Sequence, residues 1–432
     1  MESLWMQTTQ MPQFEPLDGD RKTDVLIIGG GMAGLLCAYS LTQAGVNCTL
    51  VEANRLCGGT TGNTTAKITS QHGLHYYKLL QKYGVDRAKR YLQANEDALA
   101  RYRVLGQQIP CQMEQKDNYV YTRQNERKLV QELSALNALG ADAVLVRQLP
   151  LPFLVAGAIR FPDQLQFHPR MFAAGLLTGF PVFENTKVRE LAPGRAMTDH
   201  GTISAEKIII ATHFPILNKH GGYFLKLYQH RSYVLALKDA GDVGGMYVDQ
   251  EKTGLSFRNT GDLLLLGGGG YRTGKQGGGW KELEDFAKEH YPQAVIQARW
   301  AAQDCMSLDG IPYIGPYSSG TKDLYVATGF NKWGMSGAMV AAMILTDLVQ
   351  GKDNPYADVF SPSRRMLHPQ LAANGLQALG NLLTPTVPRC PHMGCALKYN
   401  SAEHSWDCPC HGSRFDETGK VLENPATADK DL

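Results

Sequence analysis

Asp24-Val25-Leu26-Ile27-Ile28-Gly29-Gly30-Gly31-Met32-Ala33-Gly34 is a short apolar run of strand character that turns directly into G-x-G-x-x-G. Leu35 to Ala44 follow with helical composition. A glycine fingerprint set between a strand and a helix is far more specific than the bare motif. Gly29 allows the tight turn, Gly31 lets a pyrophosphate approach the backbone, and Gly34 lets helix and strand pack closely. With Met32 and Ala33 these residues place the amino terminus of a helix against negative charge. A second strand, Cys48-Thr49-Leu50-Val51, ends at Glu52 and Ala53. An acid at that strand tip accepts hydrogen bonds from ribose hydroxyls and repels a 2′-phosphate. The pattern predicts an α/β, Rossmann-like domain for an adenine dinucleotide without that phosphate, either FAD or NAD.

Three further segments favour FAD. Arg55 to Lys67 is a Gly/Thr-rich loop whose many short donors include Thr60, Thr64 and Thr65, with Ala66 at its end. The strand Ile208-Ile209-Ile210 runs into Ala211-Thr212-His213, and Val188 precedes it on the return to the same domain. Asp309-Gly310-Ile311-Pro312 and the strand-turn-helix Leu324 to Ser336 complete the set. Together these resemble the D-amino-acid oxidase and glycine oxidase superfamily, with His213 where its Ala-Thr-Gly turn has glycine. The resemblance runs in order over about 24–351. It implies that Gly329, Trp333, Gly334, Met335 and Ser336 open a helix aimed at the pyrimidine end of the flavin, where its dipole stabilises growing negative charge. Leu263-Leu264-Leu265-Leu266 before Gly267-Gly268-Gly269-Gly270 misses the fingerprint register and predicts a strand leading into a loop. No dedicated NAD(P)H domain is expected.

Residues 74–140 read as helical, with runs at 86–105 and 126–139 interrupted near Pro110. Segments within 221–299, such as Tyr233-Val234-Leu235-Ala236-Leu237, alternate and predict an antiparallel sheet forming a substrate domain over the flavin. Members of the superfamily that oxidise amino acids often place a carboxylate-clamping arginine just before the Asp-Gly-x-Pro motif. Asp304 stands there in this chain and would repel a carboxylate. Arg231, Tyr233 and Arg258 are substitute anchors by position, His72 and His213 are proton-transfer candidates, and Trp333 is a candidate to touch flavin or substrate.

Near the carboxyl end, Cys390-Pro391-His392-Met393-Gly394-Cys395 and Cys408-Pro409-Cys410-His411-Gly412-Ser413 set Cys-x-His fifteen residues before Cys-x-x-His. This resembles a Rieske [2Fe–2S] centre, in which two cysteines hold one iron and two histidines the other. The ligands implied are Cys390, His392, Cys408 and His411. In respiratory Rieske proteins the positions of Cys395 and Cys410 carry a disulfide. Two cysteines and two histidines would also satisfy tetrahedral zinc, but zinc sites seldom use Cys-x-His and have no use for the extra pair. The resemblance also implies that Ser413 tunes the cluster, and Phe415 stands where respiratory proteins have a hydrogen-bonding tyrosine. A tail of this size is too small to fold on its own core, so the cluster and docking onto the rest of the chain should hold it.

The 432 residues suit two or three folding units, and the formal charge of +2 points to neither nucleic acid nor an anionic membrane. No apolar stretch reaches the roughly 18 residues of a bilayer span. The first 21 residues lack a signal-peptide pattern, so a cytoplasmic protein is expected. Cys37, Cys48, Cys57, Cys111 and Cys305 read as small buried hydrophobes. The expected organisation is an FAD domain at 22–215 with a helical insertion at 74–150, a substrate domain at 216–303, the rest of the FAD domain at 304–352, a linker at 353–388 and a minimal Rieske domain at 389–432. The expected function is an FAD-dependent oxidoreductase that passes electrons between a small-molecule substrate, flavin, the cluster and an external protein or small acceptor, in either direction. The alternative is a flavin amine or amino-acid oxidase whose cluster is structural or a redox sensor.

Overall fold

The fingerprint strand Arg21–Ile28 is the axis of the first sheet, pairing in parallel with Gly201–Ile210 on one side and Cys48–Val51 on the other. The computed structural model describes residues 2–217, 220–251, 254–364, 368–385 and 388–430. Among these, the strands fall into three sheets. In the first, the order is Tyr313–Pro316, Leu324–Thr328, Gly201–Ile210, Arg21–Ile28, Cys48–Val51, Val182–Phe183, with the hairpin Val188–Ala192 and Arg195–Thr198 at the side. The four central strands run parallel, so both faces need covering and the strands read as continuous apolar runs. Met32–Gln43 and Gly334–Val349 lie together in the main core that covers this sheet. The latter is buried along most of its length, as expected of a helix apolar on every side. Each fully buried Ile or Leu there, such as Ile344 or Leu345, contributes about 1.5–3 kcal/mol.

The second sheet has nine strands and is mostly antiparallel. Its half made from Val295–Ser307, Leu227–Lys238, Leu263–Arg272 and Ser256–Thr260 matches the alternation in the sequence. The rest is Met246–Asp249 together with strands from earlier in the chain. Two strands interrupt the 74–150 stretch expected to be a helical insertion: Glu114–Thr122, between the helices Tyr76–Gln108 and Glu126–Leu139, and Val144–Val146, after the second helix. Glu114–Thr122 is largely polar at its start, and its membership is set by pairing with Gly157–Gln166 and Met246–Asp249. The strand Leu263–Arg272 also continues past Gly267–Gly270 instead of ending before them, because pairing to Leu227–Lys238 resumes at Tyr271 after a register shift at Gly269 and Gly270.

The stretch read as a linker is pinned. Its helix spans Pro369–Leu383, and Arg364 is buried against Asp309 of the Asp-Gly-x-Pro motif (2.7 Å). Thr386 and Val387 of that stretch lie outside the described residues. The amino-terminal arm is also built in. Ser3 caps the helix Leu4–Thr8, and the buried Trp5 donates its indole N–H to the Thr64 carbonyl (2.6 Å). The third sheet is the tail: Lys398–Asn400, Ser405–Asp407, Arg414–Asp416 and Val421–Glu423 as an antiparallel meander. No helix among the described residues is long and apolar enough to cross a membrane.

Candidate flavin cavity and iron–sulfur centre

A cavity of about 1210 Å³ lies between the two large sheets, and the tail closes part of its wall. Gly29, Gly31, Met32 and Ala33 line it, with Glu52 and Ala53 beside them. Gly29 holds φ +113°, and a methyl group there would meet the Ala211 carbonyl oxygen at 2.5 Å, so glycine alone lets these strand ends approach. Gly31 caps the helix Met32–Gln43 without any side-chain bond. The Glu52 carboxylate accepts from the N–H groups of Gly30 (2.7 Å) and Asn54 (2.9 Å), which fix its orientation and leave lone pairs for hydroxyl donors.

Thr60, Thr64, Thr65, Val188, Ala211 and Thr212 continue the wall, and Trp333, Gly334 and Met335 form it at the opening of the long helix. Gly34, Ala66, Gly329 and Ser336 stand behind it. Gly34 packs on the Gly29 carbonyl, and Ser336 hydrogen-bonds His72 (2.9 Å). The bare cradle, the anchored acid and the cavity's size fit a bound FAD.

The polar candidates separate clearly. His72 lines the cavity and stacks on Trp333 (5.1 Å between ring centroids). Both its nitrogens are engaged, Nδ1 with the Tyr91 hydroxyl (2.6 Å) and Nε2 with Thr69 O and Ser336 Oγ (2.9 Å each). Burial holds its imidazole down to about 3, so it is a neutral support for Trp333. Arg258 is buried away from the cavity wall, over the Trp5 ring (5.3 Å) with Nη1 donating to Ala66 O (3.3 Å). Arg231 is no substrate clamp either: its guanidinium pairs with Glu403 and with Glu423 (2.9 Å) of the tail. Tyr233 lines the cavity while its hydroxyl donates to Glu403 (2.9 Å). Asp304 also lines it, accepting from Ser232 Oγ (2.9 Å), and burial pushes its carboxyl up.

In the tail, the sulfurs of Cys390 and Cys408 lie in hydrogen-bond contact, and the rings of His392 and His411 stand 4.9 Å apart. Cys395 and Cys410 are joined as a disulfide. Cys408 Sγ lies near both of their sulfurs, but those two are consumed by their own bond. His411 is buried with Nδ1 lacking any hydrogen-bond partner, and burial keeps the ring neutral. An orphaned, unprotonated imidazole nitrogen beside a paired thiol set is what a metal cluster requires. The residues present fit a [2Fe–2S] group held by Cys390, Cys408, His392 and His411.

The tail docks through backbone contacts as well as charges. Gln303 donates to the Gly412 carbonyl (2.8 Å), and a methyl group at Gly412 (φ +85°) would overlap Gln229 Cγ at 2.1 Å. The Phe214 ring sits 6.2 Å from the His392 ring and 6.0 Å from that of His411. Its chain neighbours Ala211, Thr212 and His213 are cavity wall.

Residues 24–348 match the family profile described as FAD dependent oxidoreductase, DAO. The chain belongs to the DAO family. Residues 381–430 match the Rieske [2Fe-2S] domain, so this DAO member is an FAD-dependent oxidoreductase with a fused iron–sulfur domain. The Bacillus subtilis protein YhfW, assigned by name to the Rieske 2Fe-2S iron-sulfur proteins, is 34% identical over an alignment covering 98% of this chain and 96% of YhfW. The iron-sulfur subunit of the Nostoc punctiforme cytochrome b6-f complex is 57% identical over 37 residues, 9% of this chain and 21% of that subunit. Among solved structures, glycine oxidase from Geobacillus kaustophilus superposes with TM-score 0.68 at 20% identity, covering 80% of this chain and all of that one. L-proline dehydrogenase from P. horikoshii gives 0.67 at 16%, covering 80% and 98%. At those identities the likeness is one of fold.

Reading this DAO member from its sequence missed Lys67. It lines the cavity, its ammonium donates to Thr65 Oγ1 (3.4 Å), and burial with Arg258 nearby holds it down to about 7. Its place at the end of the Gly/Thr loop was the available signal. His213 does take a glycine position, with φ +64°, and its ring spans Thr60 (3.4 Å) and Gln229 (3.1 Å).

Proposed function

We propose that the protein moves electrons between a small molecule in the cavity and an external one-electron partner that meets the tail. The observation that carries this is the position of Phe214, against both cluster histidines and one residue from the cavity wall. Bound FAD supplies two-electron chemistry with organic molecules, and a Rieske cluster supplies single electrons.

The chain's own residues define two sides. His411 is buried against Phe214 and Phe224 and faces the flavin domain. His392 is partly exposed, next to the exposed Met393, and gives an outside partner its point of approach. Gly29, Gly31 and Glu52 hold the dinucleotide, and Trp333 with Met335 bounds the end where a small molecule reacts. There Asp304 disfavours a carboxylate and favours a neutral or cationic substrate, while Lys67 is placed to accept a proton from it.

The test uses the protein with its flavin photoreduced under anaerobic conditions and cytochrome c as a one-electron acceptor. His411→Ala should leave flavin photoreduction intact and drop cytochrome c reduction to the rate seen with free flavin. Equal rates in both proteins would refute the relay.

A further inference from the structure

We infer that the iron–sulfur domain forms part of the flavin site itself: the tail segment 423–427 closes the dinucleotide end of the cavity, so retention of FAD depends on a docked tail. This rests on the placement of FAD in that cavity.

Glu423, Asn424 and Thr427 from the tail line the same cavity as Glu52, Lys187 and Val188. These tail residues are held down individually. The Asn424 side-chain amide donates to the carbonyls of Thr212 and Phe214 (2.9 Å to the latter), the turn that ends the central strand. Arg189, on the strand that begins with Val188, donates to the Thr427 carbonyl while its other nitrogens pair with Asp199. The lid is also tied to the cluster loop. Ala426 donates its N–H to Ser413 Oγ (3.0 Å), and Ser413 contacts the Cys390 sulfur.

A ligand seated between the glycine cradle and this segment leaves only after the segment lifts. Lifting it breaks the Asn424 and Arg189 bonds and strains the loop next to two cluster ligands. FAD release and tail undocking are therefore one event.

The test measures FAD release from the FAD- and cluster-loaded full chain by the gain in fluorescence of freed flavin after dilution. Asn424→Ala and Arg189→Ala should each speed release, and the double variant should do so about tenfold, the value of one to two ordinary hydrogen bonds. Iron content should stay at the wild-type value. Hydrogen exchange gives a second readout that needs no variant: FAD should slow exchange at 421–427 as well as at 29–34. Protection at 29–34 without any at 421–427, together with unchanged release in the double variant, would overturn the inference and leave the cavity assignment standing. Absence of protection at 29–34 would overturn the cavity assignment and this inference with it.

Discussion

Phe214 and His411 stand edge to face, ring centroids 6.0 Å apart, and that contact joins the flavin domain to the iron–sulfur domain. Phe214 is fully buried, so its ring is held by packing on every side. Phe214→Leu keeps an apolar filler and costs less stability than the 3–5 kcal/mol typical of Phe→Ala in a core, about 1–2 kcal/mol. It should slow cluster reduction by the flavin while leaving flavin reduction unchanged, as followed by stopped-flow absorbance in the two cofactor bands.

Arg231 lies at the centre of a buried charge network that crosses the domain interface. It shares Glu403 and Glu423 with Arg414, which also holds Asp407 (2.9 Å). Removing one member of a buried pair strands the others, and Arg231→Met should weaken docking by about 3 kcal/mol. The check is limited proteolysis and hydrogen exchange of 398–423, both of which should accelerate with the flavin domain still folded.

Asp309 is held below the usual carboxylate range by hydrogen bonds and charge from Arg364, with Tyr83 adding a bond, against the burial that would raise it. A carboxyl depressed on folding contributes stability above its unfolded value near 3.9 and loses it as pH falls through the folded value. Asp309→Asn should therefore lower Tm at pH 7, and the gap to wild type should shrink as the medium is acidified below about pH 4. Tm measured from pH 3 to 7 decides it. A constant gap would contradict the pairing.

Lys67 gives a slope of the same sign in a higher pH window, but as a penalty on the folded state instead of a gain. Its folded value near 7 lies below that of a free lysine, so between the two the unfolded chain binds a proton that the folded chain gives up. Stability from this residue rises with pH across that window. Lys67→Met should raise Tm at pH 7, and the gain should fade towards pH 10.

The strand-glycine-helix run and the two Cys/His loops were legible because their signals are local. Each fixes its geometry within a dozen residues, and Gly29 and Glu52 do line the cavity while Cys390 and His411 are buried in the tail. Long-range pairing was not legible. Glu114–Thr122 is a strand because of partners elsewhere in the chain, and a polar start hides it from periodicity. Arg231 looked like a substrate anchor, yet its carboxylates lie 172 and 192 residues further on. Arg258 was expected at the substrate for the same reason, and its neighbour Trp5 comes from an arm with no pattern of its own. Lys67 was not legible because a lone lysine after threonines carries no signal in the sequence; its burial is set by the fold around it.

The central claim is that electrons pass between flavin and cluster inside one chain. Rapid freeze-quench EPR after a laser pulse that reduces the flavin under anaerobic conditions tests it most directly. The reduced-cluster signal should grow as the flavin is reoxidised, at one rate that does not change with protein concentration. A rate proportional to protein concentration, or a flavin that stays reduced beside an oxidised cluster of higher potential, would contradict the account.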